Sequence, residues 1–171
     1  MQDAITTIVN RYDVKGSYLD KPAVDQLSSY FETGLLRIQV TELINGKASF
    51  IVKEASAQLY SEQPELLRPG GNSYTTRRYV ACLRDLEYYL RYASYAIIAG
   101  DINVLNERVL DGLRDTYNSL SVPISPTVRG IQLLKDVILQ ELGLDNAEAE
   151  SVISEPFSYM CRALSEQNIS K

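Results

Sequence analysis

Histidine is missing from all 171 residues. That zero excludes haem ligation through a proximal histidine, imidazole-bearing zinc sites and every acid-base or triad scheme that relies on imidazole. Tryptophan is also absent, and phenylalanine occurs three times against twelve tyrosines. The only two cysteines, Cys82 and Cys161, are too few for a disulfide scaffold and lack CxxC spacing, so both are expected to be free thiols. Apolar runs such as Tyr95–Ala99 fall far short of the roughly 20 residues a membrane-spanning helix requires. The opening MQDAITTIVN carries Asp3 where a signal peptide would be basic, so a soluble cytoplasmic chain is expected. Seventeen Lys and Arg are scattered among 22 Asp and Glu for a net charge of -5, which leaves no basic footprint for nucleic acid.

What remains is a chain with 45% hydrophobic residues, enough for one domain over 1–171 with a real core. Its apolar residues recur with a helical period, and no alternating strand stands between hairpin residues, so the fold class is all-α. Asp3 caps a first helix with Ala4, Ile5, Ile8 and Val9 on one face, ending near Val14–Gly16. A second runs from Asp20, with Pro22 in its first turn, to Thr33–Gly34 and buries Val24, Leu27, Tyr30 and Phe31. These two form an N-terminal hairpin over 1–33. Beyond it, one helix runs from Leu35 to a stop at Asn45–Gly46, and another from Lys47 to about Leu59. The prolines and glycines of SEQPELLRPGGNS, 61–73, predict a long loop of the kind that often carries function. Tyr79, Leu83, Leu86, Leu90, Ala93 and Ile97 then mark the strongest helix, Tyr74 to Gly100. A helix or helix pair over 103–120, a turn with Pro123 and Pro126, a helix from Thr127 to Leu142 and a last one from Asn146 to Glu166 complete the chain.

On the central helix Arg78, Cys82, Asp85, Tyr89 and Tyr92 fall at steps of four and three, placing a cation, a thiol, a carboxylate and two phenols on one stripe. Arg77, Arg84 and Arg91 form a second stripe beside it, suited to gripping carboxylates. Arg78 and the helix N-terminus both favour a thiolate at Cys82. Against this, buried free cysteine is common, and arginines pair with Asp85 or Glu87 on ordinary surfaces, so spacing alone favours an idle packed thiol. Cys161 reads as a packed thiol without chemistry, and most tyrosines as packing. No catalytic residue and no metal-ligand set is identified.

The segment RPGGNSYTTRRYVACLRDLEYYLRYASYAIIAGD at 68–101, followed by ERVLDGLRDTYNSLSVP at 107–123, closely resembles the beta-type subunits of allophycocyanin, of the phycobiliprotein family. The likeness extends from MQDAITTIVN to FSYMCRALSE, and EQPELLRPGGN with VPISPTVRGIQLLK is more similar to the minor beta-type subunit that associates with the core-membrane linker than to the major one. The resemblance implies a globin-like core of six helices preceded by the two-helix extension used in subunit pairing, with the Cys82 helix in the place of the globin E helix. It implies one phycocyanobilin per chain, joined by a thioether to Cys82 with a lyase as helper. Asp85 is then expected to accept hydrogen bonds from the two central pyrroles, Arg77, Arg78 and Arg84 to hold the propionates, Tyr88 and Tyr117 to wall the pocket, and Asn72 to be methylated on its side-chain amide.

The implied function is light harvesting in the phycobilisome core, passing excitation toward the photosystems, with no enzymatic activity. The implied partners are an alpha-type allophycocyanin subunit or the phycobilin domain of the core-membrane linker, trimeric rings of such pairs, and core linker polypeptides. The implied location is the cytoplasmic (stromal) face of the thylakoid membrane, as a peripheral component. Two departures stand out: Ser121 replaces the usual glycine of SLGVP, and Glu42, Lys47 and Phe50 lie in a stretch where major subunits are mostly small. The competing readings are the major beta subunit, a pigment-free globin-like regulator, and, weakest without histidine, an enzyme using Cys82 as nucleophile.

Overall fold

The computed structural model describes residues 2–143 and 147–166; Asn146, the expected start of the last helix, lies outside them. Among the described residues every regular element is helical. Helix α1, Ala4–Asp13, begins where the Asp3 carboxylate accepts Thr6 N at 2.7 Å, and α2, Lys21–Glu32, where Asp20 accepts Ala23 N at 3.0 Å. Both caps satisfy amide donors that the first turn leaves without intrahelical partners. One residue, Thr33, separates α2 from α3, Gly34–Glu62. Arg37 fastens that junction: its guanidinium lies 3.8 Å from the Tyr30 ring centre, donates to Thr33 Oγ1 at 2.7 Å and also donates to the Tyr30 carbonyl.

Helix α3 overturns the expected break at Asn45–Gly46. Val40, Ile44, Ile51, Ala55 and Leu59 are all at most 2% exposed and form a stripe that runs straight past Gly46. Burying that stripe outweighs the roughly 1 kcal/mol by which an internal glycine disfavours helix.

After a 3₁₀ turn at Pro64–Leu67 comes α4, Thr76–Ala99, which ends at Gly100. Helix α5, Asn103–Leu105, passes into a π-helical turn at Asn106–Leu110 and is followed by α6, Leu113–Ser119. Helix α7, Ile124–Leu142, starts three residues before the expected Thr127. Pro126 does not prevent this, because first-turn residues need no intrahelical N–H bond. Helix α8 spans Ala147–Glu166.

Helices α3 to α8 make the six-helix core expected of a globin-like chain. Helix α3 lies against α4 and α7, and α7 against α8. Leu86, Leu90, Ala93 and Ile97 of α4 meet Leu134, Ile138, Phe157 and Met160 in one apolar cluster with the α3 stripe. No described helix is long and apolar enough to cross a membrane.

The hairpin departs from expectation in its burial. Only Ile8 and Ala23 are covered, whereas Ile5, Val9, Val24 and Phe31 are 39–63% exposed and Leu27 and Tyr30 are half-buried. The hairpin is tied to the end of α4 by polar bonds, Thr7 Oγ1 to the Asp101 carboxylate and Tyr30 OH to the Ile98 carbonyl. Its apolar side therefore stays uncovered.

Candidate functional site

A cavity of about 640 Å³ opens between α4, the loop before it, the segment from the π-helical turn to α6, and the start of α7. Thr75 sets the register of α4 by accepting Arg78 N at 3.4 Å. Of the first stripe, Arg78, Cys82, Asp85 and Tyr89 reach the cavity wall. Tyr92 does not, and packs instead between Tyr88 and Tyr95 at ring separations of 6.3 and 5.5 Å. Arg91 also lies away from the cavity, over the Tyr88 ring at 4.6 Å. All the residues singled out for one ligand, Asn72, Arg77, Arg78, Cys82, Arg84, Asp85, Tyr88 and Tyr117, stand on this one wall.

The loop delivers Asn72 through a close backbone approach. A Cβ on Gly71 would sit 2.3 Å from the Glu65 carbonyl oxygen and 2.4 Å from that of Leu66, so only glycine fits there. Gly71 N bonds to Arg68 O at 2.8 Å and Ser73 N to Leu66 O at 2.9 Å. The stretch expected as a long loop is thus folded back on its own 3₁₀ turn.

Both oxygens of Asp85 are engaged. Oδ1 accepts from Arg84 Nε at 3.3 Å and Nη2 at 3.1 Å, and Oδ2 accepts the Tyr117 hydroxyl at 3.0 Å. The Tyr117 and Tyr89 oxygens are 2.5 Å apart, and the two side chains are 5% and 3% exposed. Burial pushes both phenols well above the ordinary tyrosine range; at Tyr117 the neighbouring Tyr89 and Asp85 push further the same way. Both phenols are therefore protonated, and so available as donors.

Cys82 corrects the thiolate expectation. Burial raises its pKa, and although the hydroxyls of Tyr60 and Ser73 oppose this, Asp85 adds to the rise. Arg77 and Arg78 are exposed, so water screens the charges that were expected to favour the anion. The sulfur instead lies against a polar pair, in which Tyr60 OH donates to Ser73 Oγ at 3.0 Å.

Residues at or beside the cavity that escaped the sequence reading as pocket groups include Tyr89, Arg108, Ser73 and Tyr60. Tyr89 was visible on the stripe but read as packing. Arg108 sits on the π-helical turn, whose register follows no helical period. Ser73 and Tyr60 show no sequence signal, because the fold alone brings α3 to the loop.

The arrangement combines a thiol, an inward carboxylate acceptor, a cationic rim and apolar walls such as Leu59, Val109 and Leu113. Its volume is that of sites for organic molecules, roughly 300–1,000 Å³. It suits an elongated, mostly apolar ligand with N–H donors along its middle and acidic arms. Among the described residues no group of acidic or cysteine side chains is placed to hold a metal ion.

The family model described as "Phycobilisome protein" matches residues 7–164. The chain is 65% identical to allophycocyanin subunit beta-18 of Porphyra purpurea, covering 99% of this chain and the whole of that protein. It is 57% identical to the phycobiliprotein beta chain of Mastigocladus laminosus and 56% to allophycocyanin subunit beta-18 of Synechocystis, again over 99% of this chain and all of each relative.

Proposed function

This chain belongs to the phycobilisome protein family, and from that premise we propose that Cys82 carries a covalent bilin, a single phycocyanobilin, in the cavity beside α4. The protein is a light-harvesting pigment protein of the phycobilisome core and not an enzyme. The observation that carries the site is the convergence of Asn72, Cys82, Asp85 and the arginines on one cavity of suitable volume.

Cys82 supplies the sulfur of the thioether. Its raised pKa leaves little thiolate near neutral pH, which fits attachment with a lyase as helper. Asp85 accepts the pyrrole N–H groups, and Arg77, Arg78 and Arg84 take the acidic arms. A pigment held in this way cannot twist freely, so its excitation lasts long enough to be passed on. Asn72 is the methylated amide. Digestion of the purified protein tests the assignment: the bilin mass belongs on the peptide that contains Cys82 and a methyl group on the one with Asn72, and bilin mass elsewhere defeats it.

Pairing with an alpha-type subunit or with the phycobilin domain of the core-membrane linker covers the open side of the hairpin, where Ile5, Val9, Val24 and Phe31 are exposed. A patch of this kind marks an interface. The trimeric ring, the core linkers and the cytoplasmic face of the thylakoid complete the proposal. The minor, linker-associated role rests on the resemblance of EQPELLRPGGN and VPISPTVRGIQLLK to that type of beta subunit. Trimers isolated with the ordinary alpha subunit alone would overturn that role.

A further inference from the structure

We infer that Tyr89, which does not contact Asp85 through any hydrogen bond of its own, is the positioning residue for that carboxylate, acting through Tyr117. The inference rests on the proposed bilin site.

Three oxygens form a chain that leaves α4 at Asp85, crosses to Tyr117 on α6 and returns to α4 at Tyr89, with separations of 3.0 and 2.5 Å. A phenol carries one proton. Tyr117 spends it on the Asp85 carboxylate, which can only accept, so the short bond to Tyr89 must have Tyr89 as donor. The direction of the chain is thereby fixed from Tyr89 to Tyr117 to Asp85.

Tyr89 is 3% exposed and lies in the α4 core face, so its hydroxyl has no freedom to turn elsewhere. Tyr117 inherits that order, and Asp85, with Arg84 on its other oxygen, is held at both ends. Without the Tyr89 donor, the buried Tyr117 oxygen keeps its bond to Asp85 but loses the donor it accepts from, a cost that the ring relieves by shifting or admitting water. The Asp85 carboxylate then loosens, and with it the geometry of whatever it holds.

Tyr89→Phe, Tyr117→Phe and the double variant test this in the pigmented protein, each measured for pigment per chain, absorption band width, fluorescence yield and thermal midpoint. Tyr89→Phe is expected to keep one pigment per chain while fluorescence falls about twofold or more and the band broadens. Tyr117→Phe is expected to show at least the same change, and the double variant to match Tyr117→Phe, because Tyr89 has no other route to Asp85. A Tyr89→Phe protein of lower thermal midpoint but unchanged spectrum reduces Tyr89 to packing and overturns the inference, as does additivity in the double variant. Failure of the bilin site itself appears differently, as loss of colour from the parent chain or as colour that survives Cys82→Ala.

Discussion

Tyr117 and Asp85 stand thirty-two positions apart in the chain and are joined by a 3.0 Å hydrogen bond from the phenol to Oδ2. The bond ties α6 to α4 in the wall of the cavity and makes Asp85 a fixed acceptor. Asp85→Asn replaces one oxygen by a donor that must face either Tyr117 or Arg84, both donors themselves. Loss of a charge-assisted bond of this kind costs about 1.5–3 kcal/mol. The variant is expected to take up pigment at Cys82 but to fluoresce several-fold less; unchanged yield would remove Asp85 from the role given it.

Ser121 has φ of 56°, the one described non-glycine residue in the left-handed region. It follows the end of α6, where Val122 N bonds to Tyr117 O at 2.8 Å and Ser121 N to Asn118 O at 3.2 Å. This pairing is the helix stop that normally selects glycine. A side chain there costs roughly 1–2 kcal/mol. Ser121→Gly is therefore expected to raise stability by about 1 kcal/mol in denaturant unfolding, and because the stop begins at Tyr117 it also serves the cavity wall. A neutral or destabilising result contradicts this.

Gly46 sits on the exposed side of α3, and a Cβ built on it meets nothing within 4 Å. Gly46→Ala is expected to stabilise the protein by about 0.5–1 kcal/mol, since alanine fits the helix and the unfolded chain loses freedom. Destabilisation in the same unfolding assay would show that α3 is interrupted there after all.

Cys161 is half-buried in α8 beside the Val128 carbonyl, and that burial pushes its thiol up to about 11, against the opposing pull of Lys135 and Arg162. Below pH 9 the thiol is protonated both folded and unfolded. From pH 9 to about 11 only the unfolded chain releases the proton, so stability falls with rising pH, by about 3 kcal/mol at most from this group before solvent screening reduces it. Unfolding measured from pH 8 to 11 should show a steeper loss for the parent chain than for Cys161→Ala. Parallel curves would contradict the assignment.

Helix class and the α4 core face were legible in the sequence, because the period of Leu86, Leu90, Ala93 and Ile97 is set by burial against a continuous core. The caps at Asp3 and Asp20 were legible for a local reason, since each satisfies amides within its own turn. The continuity of α3 was not, because Asn45–Gly46 is a stop only where nothing packs on both sides of it. The burial of the hairpin was misread because its apolar face has no partner among the described residues. At the cavity, spacing placed Arg78, Cys82, Asp85 and Tyr89 on one stripe of α4 but favoured an idle thiol, and their roles came from the family resemblance. The bonds from Tyr117 to Asp85 and from Tyr60 to Ser73 depend on tertiary approach and left no local trace, and the thiolate expectation at Cys82 failed because burial outweighed charges that water screens.

The most direct test of the bilin at Cys82 is the colour of the denatured chain. Protein purified from its natural source, denatured and run on a zinc-treated gel, is predicted to show visible absorption and orange-red fluorescence on this chain, both lost in Cys82→Ala. A colourless chain, or a Cys82→Ala chain that keeps its colour, would contradict the account.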